Sequence, residues 1–237
     1  MEKQKSGKKR TRLVILRSSV LLVLGLWMLS GQAQEFGRQA LDTLSGGAAD
    51  DGSWNLILVN AENPVPEGFT VELEDIGGGQ RVDARIAEAL EDMLKAARSE
   101  GLDPVVCSSY RTQDYQAGLY ERKIGQYMEK GYGRTAAAAA AARWVAPPGT
   151  SEHQLGLAID IVSSSFQVLD SRQEKTAEQQ WLMEHCWEYG FILRYPSDKS
   201  DITGIAYEPW HYRYVGKQAA REIAEQGVCL EEYLGKA

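Results

Sequence analysis

The sequence predicts an α+β domain in which helices flank a small antiparallel sheet. Short apolar runs and amphipathic stretches interleave irregularly, and no repeated strand–helix–strand period of the kind a parallel sheet requires is present. Composition points the same way. With 237 residues, 43% hydrophobic and 25% charged, the chain can bury a sizeable core as one domain or two small ones. That balance excludes a collagen, a disordered tail and a disulfide-dense miniprotein. The net charge of −7 argues against a general nucleic-acid binder. The charge is uneven, however: residues 1–33 carry seven Lys/Arg against Glu2, a balance of +6, which leaves −13 on the rest.

The +6 segment is a targeting signal. Lys3, Lys5, Lys8, Lys9, Arg10 and Arg12 precede an apolar stretch at 13–29 that Arg17 interrupts. Its uninterrupted part, 20–29, suits the apolar region of a secretory signal and is short for a spanning helix of about 20 residues. The stretch fits a cleaved signal and an uncleaved anchor alike, and either exports the remainder of the chain, because the basic flank stays inside. Residues 34–53, rich in Gly, Ala, Ser and Asp, read as a linker, so the domain is expected at 54–237.

The domain begins with residues 54–59 (WNLILV), which read as a short strand before the turn residues Pro64 and Pro66. From Val82, apolar residues at Ile86, Ala89, Leu90, Met93, Leu94 and Ala97 mark an amphipathic helix that Gly101 stops. A strand at 104–107 leads to Ser108-Ser109-Tyr110-Arg111. Thr112 is placed to cap a second helix running to about Lys130, with Tyr115, Leu119 and Tyr127 expected on its buried side. The alanine run 136–142 is a strong helix former ending before Pro147-Pro148-Gly149. A loop at 150–156 enters the apolar strand 157–162 (LAIDIV). A helix at 176–189, strands at 191–195 and 207–215, and a last helix at 217–226 complete the pattern. Cys107, Cys186 and Cys229 lack metal-type pair spacing and fit one bridge plus a free thiol, or three buried thiols.

Chemistry concentrates around two of the three histidines. His153 follows Pro147-Pro148-Gly149-Thr150-Ser151-Glu152 and precedes Asp160 by seven residues; His211 follows Glu208 by three, beside Pro209 and Trp210. Two imidazoles and one carboxylate are ligands that zinc accepts while keeping a fourth position for water. Asp160 lies inside an apolar strand, where an unpaired carboxylate is costly and calls for a metal or a donor. A second carboxylate must move protons, and Glu208 is the candidate. His185 sits mid-helix without a partner motif and reads as structural.

Together, Ser151-x-His153-x-x-Gly156-x-Ala158-x-Asp160 and Glu208-Pro209-Trp210-His211, with Ser109-Tyr110-Arg111-Thr112-Gln113-Asp114-Tyr115-Gln116 upstream, resemble the zinc D-Ala-D-Ala carboxypeptidases of the VanY type. Those enzymes group with VanX dipeptidases and the LD-carboxypeptidase LdcB, on a fold shared with Hedgehog signalling domains. The resemblance implies Zn2+ held by His153, Asp160 and His211, with Glu208 as general base. It implies that Arg111 grips the substrate and that Gln116 lines the same cleft. Ser109 and Ser151 match positions that contact the terminal D-residue, although a turn or cap role suits them as well. Trp210 would wall the pocket or pack in the core. The implied partner is a peptidoglycan stem peptide ending in D-alanine, met outside the cytoplasmic membrane.

Alternatives remain at this level. An LD-carboxypeptidase trimming tetrapeptide stems uses the same grip. A non-catalytic wall-binding module on this fold could dispense with the base, yet Glu208 is present. A VanX-like cytoplasmic dipeptidase needs no export signal. A serine penicillin-binding protein needs Ser-x-x-Lys, Ser-Asp-Asn and Lys-Thr-Gly elements, which 54–237 lacks.

Overall fold

Residues 54–237 are described by a computed structural model; the expected export segment at 1–33 and linker at 34–53 lie outside the described residues. Among the described residues no helix is long and apolar enough to cross a membrane. Residues 54–56 form a 3-10 turn, not the start of a strand. The physical reason is that Arg213 donates to the carbonyls of Asn55 and Ile57, at 2.9 Å each, while Asn55 Nδ2 donates to the Val215 carbonyl. Side chains thus satisfy backbone that a ladder would otherwise pair. Strands β1 (Leu73–Gly77) and β2 (Gln80–Asp83) then make a separate antiparallel hairpin, turned by three glycines with positive φ. The expected helix from Val82 therefore begins later. Asp83 caps a 3-10 turn at Ala84–Ile86, and α1 (Ala87–Ser99) comes next, burying Leu90, Met93, Leu94 and Ala97.

Strand β3 (Pro104–Ser108) leads into α2 (Gln113–Glu129), which Thr112 caps by accepting from the Tyr115 N–H. Tyr115, expected inside, is 56% exposed, and Leu119 and Tyr127 are only half-buried. Gln116 and Ile124 take the buried positions, because α2 packs on α3 (Arg134–Ala142) through Ile124, Ala137 and Ala141 with Tyr120 and Tyr127. Strand β4 (Ala158–Ser163) is buried at every residue. Helix α4 (Ala177–His185) continues as a 3-10 turn to Tyr189 and stops at Gly190 (φ 87°), whereupon β5 (Phe191–Leu193) begins. A single turn, α5 (Ser200–Thr203), precedes β6 (His211–Tyr214), and α6 (Lys217–Gln226) and α7 (Leu230–Tyr233) close the chain.

The fold is α+β. Its main sheet is antiparallel in the order β3-β4-β6-β5. Ile159 and Ile161 of β4 face a core shared with Leu90 and Met93 of α1 and Leu182 of α4. Because side chains alternate along a strand, Asp160 faces the other way. A second apolar cluster lies under α6, around Ile192, Val215, Ala220 and Ile223. All three cysteines are free. His185 contacts Glu188 at the surface, 2.8 Å away, and has no part in the cleft.

Candidate active site

Sheet register brings the first two polar groups together. Asp160 on β4 lies directly opposite His211 on β6, and opposite Ser108 on β3. The downstream motif supplies the next group through a tight turn. Pro209 sits at its second position, the His211 N–H donates to the Glu208 carbonyl at 3.1 Å, and both side chains end up on one side. Glu208 Oε2 comes 3.5 Å from His211 Nδ1. The spacing of three residues in Glu208-Pro209-Trp210-His211 is thus the span of one turn.

His153 arrives on a 3-10 turn, Glu152–Leu155, that ends at Gly156 (φ 74°). Its carbonyl accepts from the N–H groups of Gly156 and Arg111, and its Nδ1 lies 2.8 Å from the Ser109 carbonyl. That contact makes Nδ1 the protonated nitrogen and leaves the Nε2 lone pair aimed at Asp160 Oδ2, 3.4 Å away. Gly156 is required here twice over. Its φ is left-handed, and a Cβ would stand 2.9 Å from the Asp83 nitrogen, whose N–H the Gly156 carbonyl accepts. Gly156→Ala should cost about 1–3 kcal/mol and lower the melting temperature by several degrees, read by thermal unfolding of the metal-free protein. An unchanged melting temperature would refute the steric argument.

Ligand atoms of His153, Asp160 and His211 all lie within 4.8 Å of one another, and the three residues are buried. Asp160 Oδ1 has no hydrogen-bond partner, although His211 Nδ1 is only 3.2 Å from it. Asp160 meets an imidazole nitrogen with each of its oxygens, and the unpartnered buried one is what a divalent cation would satisfy, so the residues fit zinc. The surroundings shape each charge. Burial pulls the His153 pKa down to about 4, with Arg111 adding to the effect. Burial opposes the charge on His211 as well, but Asp160 and Glu152 hold its pKa up at about 9. Asp160 stays well below the usual carboxylate range despite its burial, because both histidines and Arg111 favour its anion. Glu208 goes the other way: burial, with Asp160 nearby, pushes it up to about 8.

These groups lie at the base of a cleft of about 200 Å³, which Arg111, Gln116, Ser151 and Trp210 also line. Arg111 is more committed than its sequence context implied. It donates from Nη2 to Asp160 Oδ2 at 2.6 Å and from Nε to Ser108 Oγ at 3.0 Å, and weakly to Gln116 Oε1. Gln116, fully buried, ties that network to the Ala146 carbonyl through Nε2. The Ser109 hydroxyl does not reach the cleft. It donates to Gln80 Oε1 and accepts from the Arg81 N–H, so it joins β3 to the hairpin, while its carbonyl orients His153. Of the two roles open to Ser109, the structure places it in the local one.

Sequence reasoning missed further wall residues. Lys123 lies two turns beyond Gln116 on the same face of α2, and its ammonium sits 5.4 Å from the Trp144 ring centre. The Tyr195 ring lies tilted against His211, with ring centres 4.7 Å apart, and Leu169 and Ile205 also line the cleft. The seven-residue interval from Gln116 to Lys123 was the available signal.

A divalent-metal triad beside a separate buried carboxylate, carried largely by the two inner strands of an antiparallel sheet, defines a metal-dependent hydrolase. Comparison with known proteins narrows the class. The family described as VanY, D-alanyl-D-alanine carboxypeptidase, matches residues 79–217. The D-alanyl-D-alanine carboxypeptidase of Enterococcus faecalis is 49% identical over 185 residues, covering 78% of this chain and 67% of that one. Among solved structures, a variant of the vancomycin-resistance D,D-pentapeptidase VanY in complex with Zn(II) superposes with a TM-score of 0.71. It is 49% identical and covers 77% of this chain and 99% of its own. VanYB in complex with D-alanine-D-alanine gives a TM-score of 0.72 at 49% identity, covering 77% and 98%. The chain belongs to the VanY family of D-alanyl-D-alanine carboxypeptidases.

Proposed function

We propose that the chain is a zinc-dependent D,D-carboxypeptidase that removes the C-terminal D-alanine from peptidoglycan stem peptides. One observation carries the reading: the buried His153–Asp160–His211 triad and the Glu208 carboxylate converge at the floor of one cleft. Family membership and the relatives solved with Zn(II) and with D-alanine-D-alanine support it.

Zinc, when bound, supplies a Lewis acid that brings the pKa of water towards about 7 and polarises a carbonyl. The chain's own residues do the rest. Glu208 takes the proton of the attacking water and returns it to the leaving D-alanine nitrogen. Its burial raises its proton affinity above that of an ordinary carboxylate. Arg111, fixed by Asp160, Ser108 and Gln116, turns its remaining N–H groups to the substrate in a defined fork. Lys123 forms no ion pair among the described residues and supplies the cleft with a cation for the peptide's free carboxylate. Ser151 contributes a hydroxyl, and Trp210 and Trp144 close the walls against water.

The enzyme acts on the outer side of the cytoplasmic membrane. The basic-then-apolar segment at 1–33 supports export, by cleavage or anchoring, and residues 54–237 then form the catalytic domain. Digestion of defined stems, with products read by mass spectrometry, tests the function. Pentapeptide stems should lose one D-alanine while tetrapeptide stems persist. Trimming of tetrapeptides with pentapeptides spared would make the enzyme an LD-carboxypeptidase instead.

A further inference from the structure

We infer that Glu152 is a positioning residue: it holds the ring proton of His211 on Nε2 and thereby presents Nδ1 to the metal. The inference rests on the reading of His211 as a ligand. Glu152 is the neighbour of His153 in the chain, yet its side chain turns away from the cleft and is 0% exposed. One of its oxygens, Oε1, receives Arg194 Nε and Arg213 Nη1, each at 2.8 Å. The other, Oε2, has no hydrogen-bond partner and lies 3.6 Å from His211 Nε2, which has none either.

Those two atoms complete one another. His211 Nδ1 faces Asp160 Oδ1 and Glu208 Oε2, so it is the nitrogen on the cleft side. A nitrogen that binds a metal must offer a lone pair, and neutral imidazole carries its proton on the other one. Nε2–H therefore needs an acceptor, and Glu152 Oε2 is the atom placed to be it. His153 solves the same problem in mirror image, with Nδ1–H on the Ser109 carbonyl and Nε2 towards Asp160. Carboxylates or carbonyls that accept from the distal nitrogen of a ligating histidine set its tautomer and raise its basicity.

The carboxylate itself is held from behind. Arg194 also makes a two-point contact with Glu231 on α7, and Arg213 reaches the Asn55 and Ile57 carbonyls. Two cations fix Oε1 as an acceptor, so Oε2 is left for His211. A glutamine at this place would keep its oxygen on the arginines and point its amide nitrogen at His211 Nε2. Donor would meet donor unless the histidine proton moved to Nδ1, the nitrogen that the metal needs.

Zinc titration of the metal-free protein against a chromophoric chelator tests this, with folding checked by circular dichroism. Glu152→Gln should weaken zinc binding about 10–100-fold. Glu231→Gln disturbs the same buried arginine without touching His211; it should lower the melting temperature and leave the zinc dissociation constant unchanged. Equal zinc affinity in wild type and Glu152→Gln would overturn the inference while leaving His211 a ligand, as would equal weakening by both variants. A second reading needs no variant. Nitrogen-15 spectra of the histidine rings in the zinc-loaded wild type should show His211 protonated at Nε2 and coordinated through Nδ1. Coordination through Nε2 would overturn the inference, and wild-type protein that binds no zinc would overturn the ligand reading beneath it.

Discussion

Replacing Glu208 with alanine should leave zinc bound and reduce kcat/KM by about 10²–10⁴-fold, the range a positioned acid–base group supplies. The metal triad is complete without Glu208, whose carboxylate lies beside His211 and outside the group of three. Metal content by elemental analysis and peptide turnover should therefore separate. Near wild-type turnover at full metal occupancy would refute the general-base role. The same group sets a pH signature in the metal-free protein. Its pKa in the fold is raised to about 8 by burial, so its neutral form suits the fold and its anion does not. Stability from Glu208 is thus fully present below its ordinary value of 4.5, declines as pH rises from there, and is lost once pH passes about 8. Glu208→Ala should lack that decline in melting temperature between pH 4.5 and about 8.

The second large effect is on the metal. His153→Ala should abolish zinc binding, because two remaining ligands cannot close a site for a cation that takes three from the protein. It also strands the Ser109 carbonyl, which loses its partner in a buried place. Removal of a buried ring costs about 3–5 kcal/mol on top, so metal content must be measured on protein shown to be folded. Zinc retained at wild-type stoichiometry by folded His153→Ala would refute the ligand assignment.

How far these residues were legible in the sequence depended on the kind of contact. Glu208 and His211 could be paired because one turn with a proline joins them. Asp160 stood out as an acid in an apolar run. The helix from Ala87 and the cap at Thr112 were legible because their signals are local. Glu152 was not, since a glutamate in a Pro/Gly-rich loop looks like a solvated charge. Its burial depends on Arg194 and Arg213, 42 and 61 residues further on. Tyr115 misled for a related reason. The inward face of α2 was decided by the alanines of α3, which the α2 sequence does not contain. The strand expected at 54–59 failed because an arginine side chain took the backbone carbonyls that a neighbouring strand would have used.

The central claim is that a metal held by His153, Asp160 and His211 drives cleavage of a terminal D-alanine. Its most direct test is release of D-alanine from a pentapeptide stem by chelated protein before and after zinc is restored, with a β-lactam present throughout. Chelated protein should release no D-alanine, and adding zinc should restore release in full, unaffected by the β-lactam. Release that persists without metal, or that the β-lactam abolishes, would contradict it.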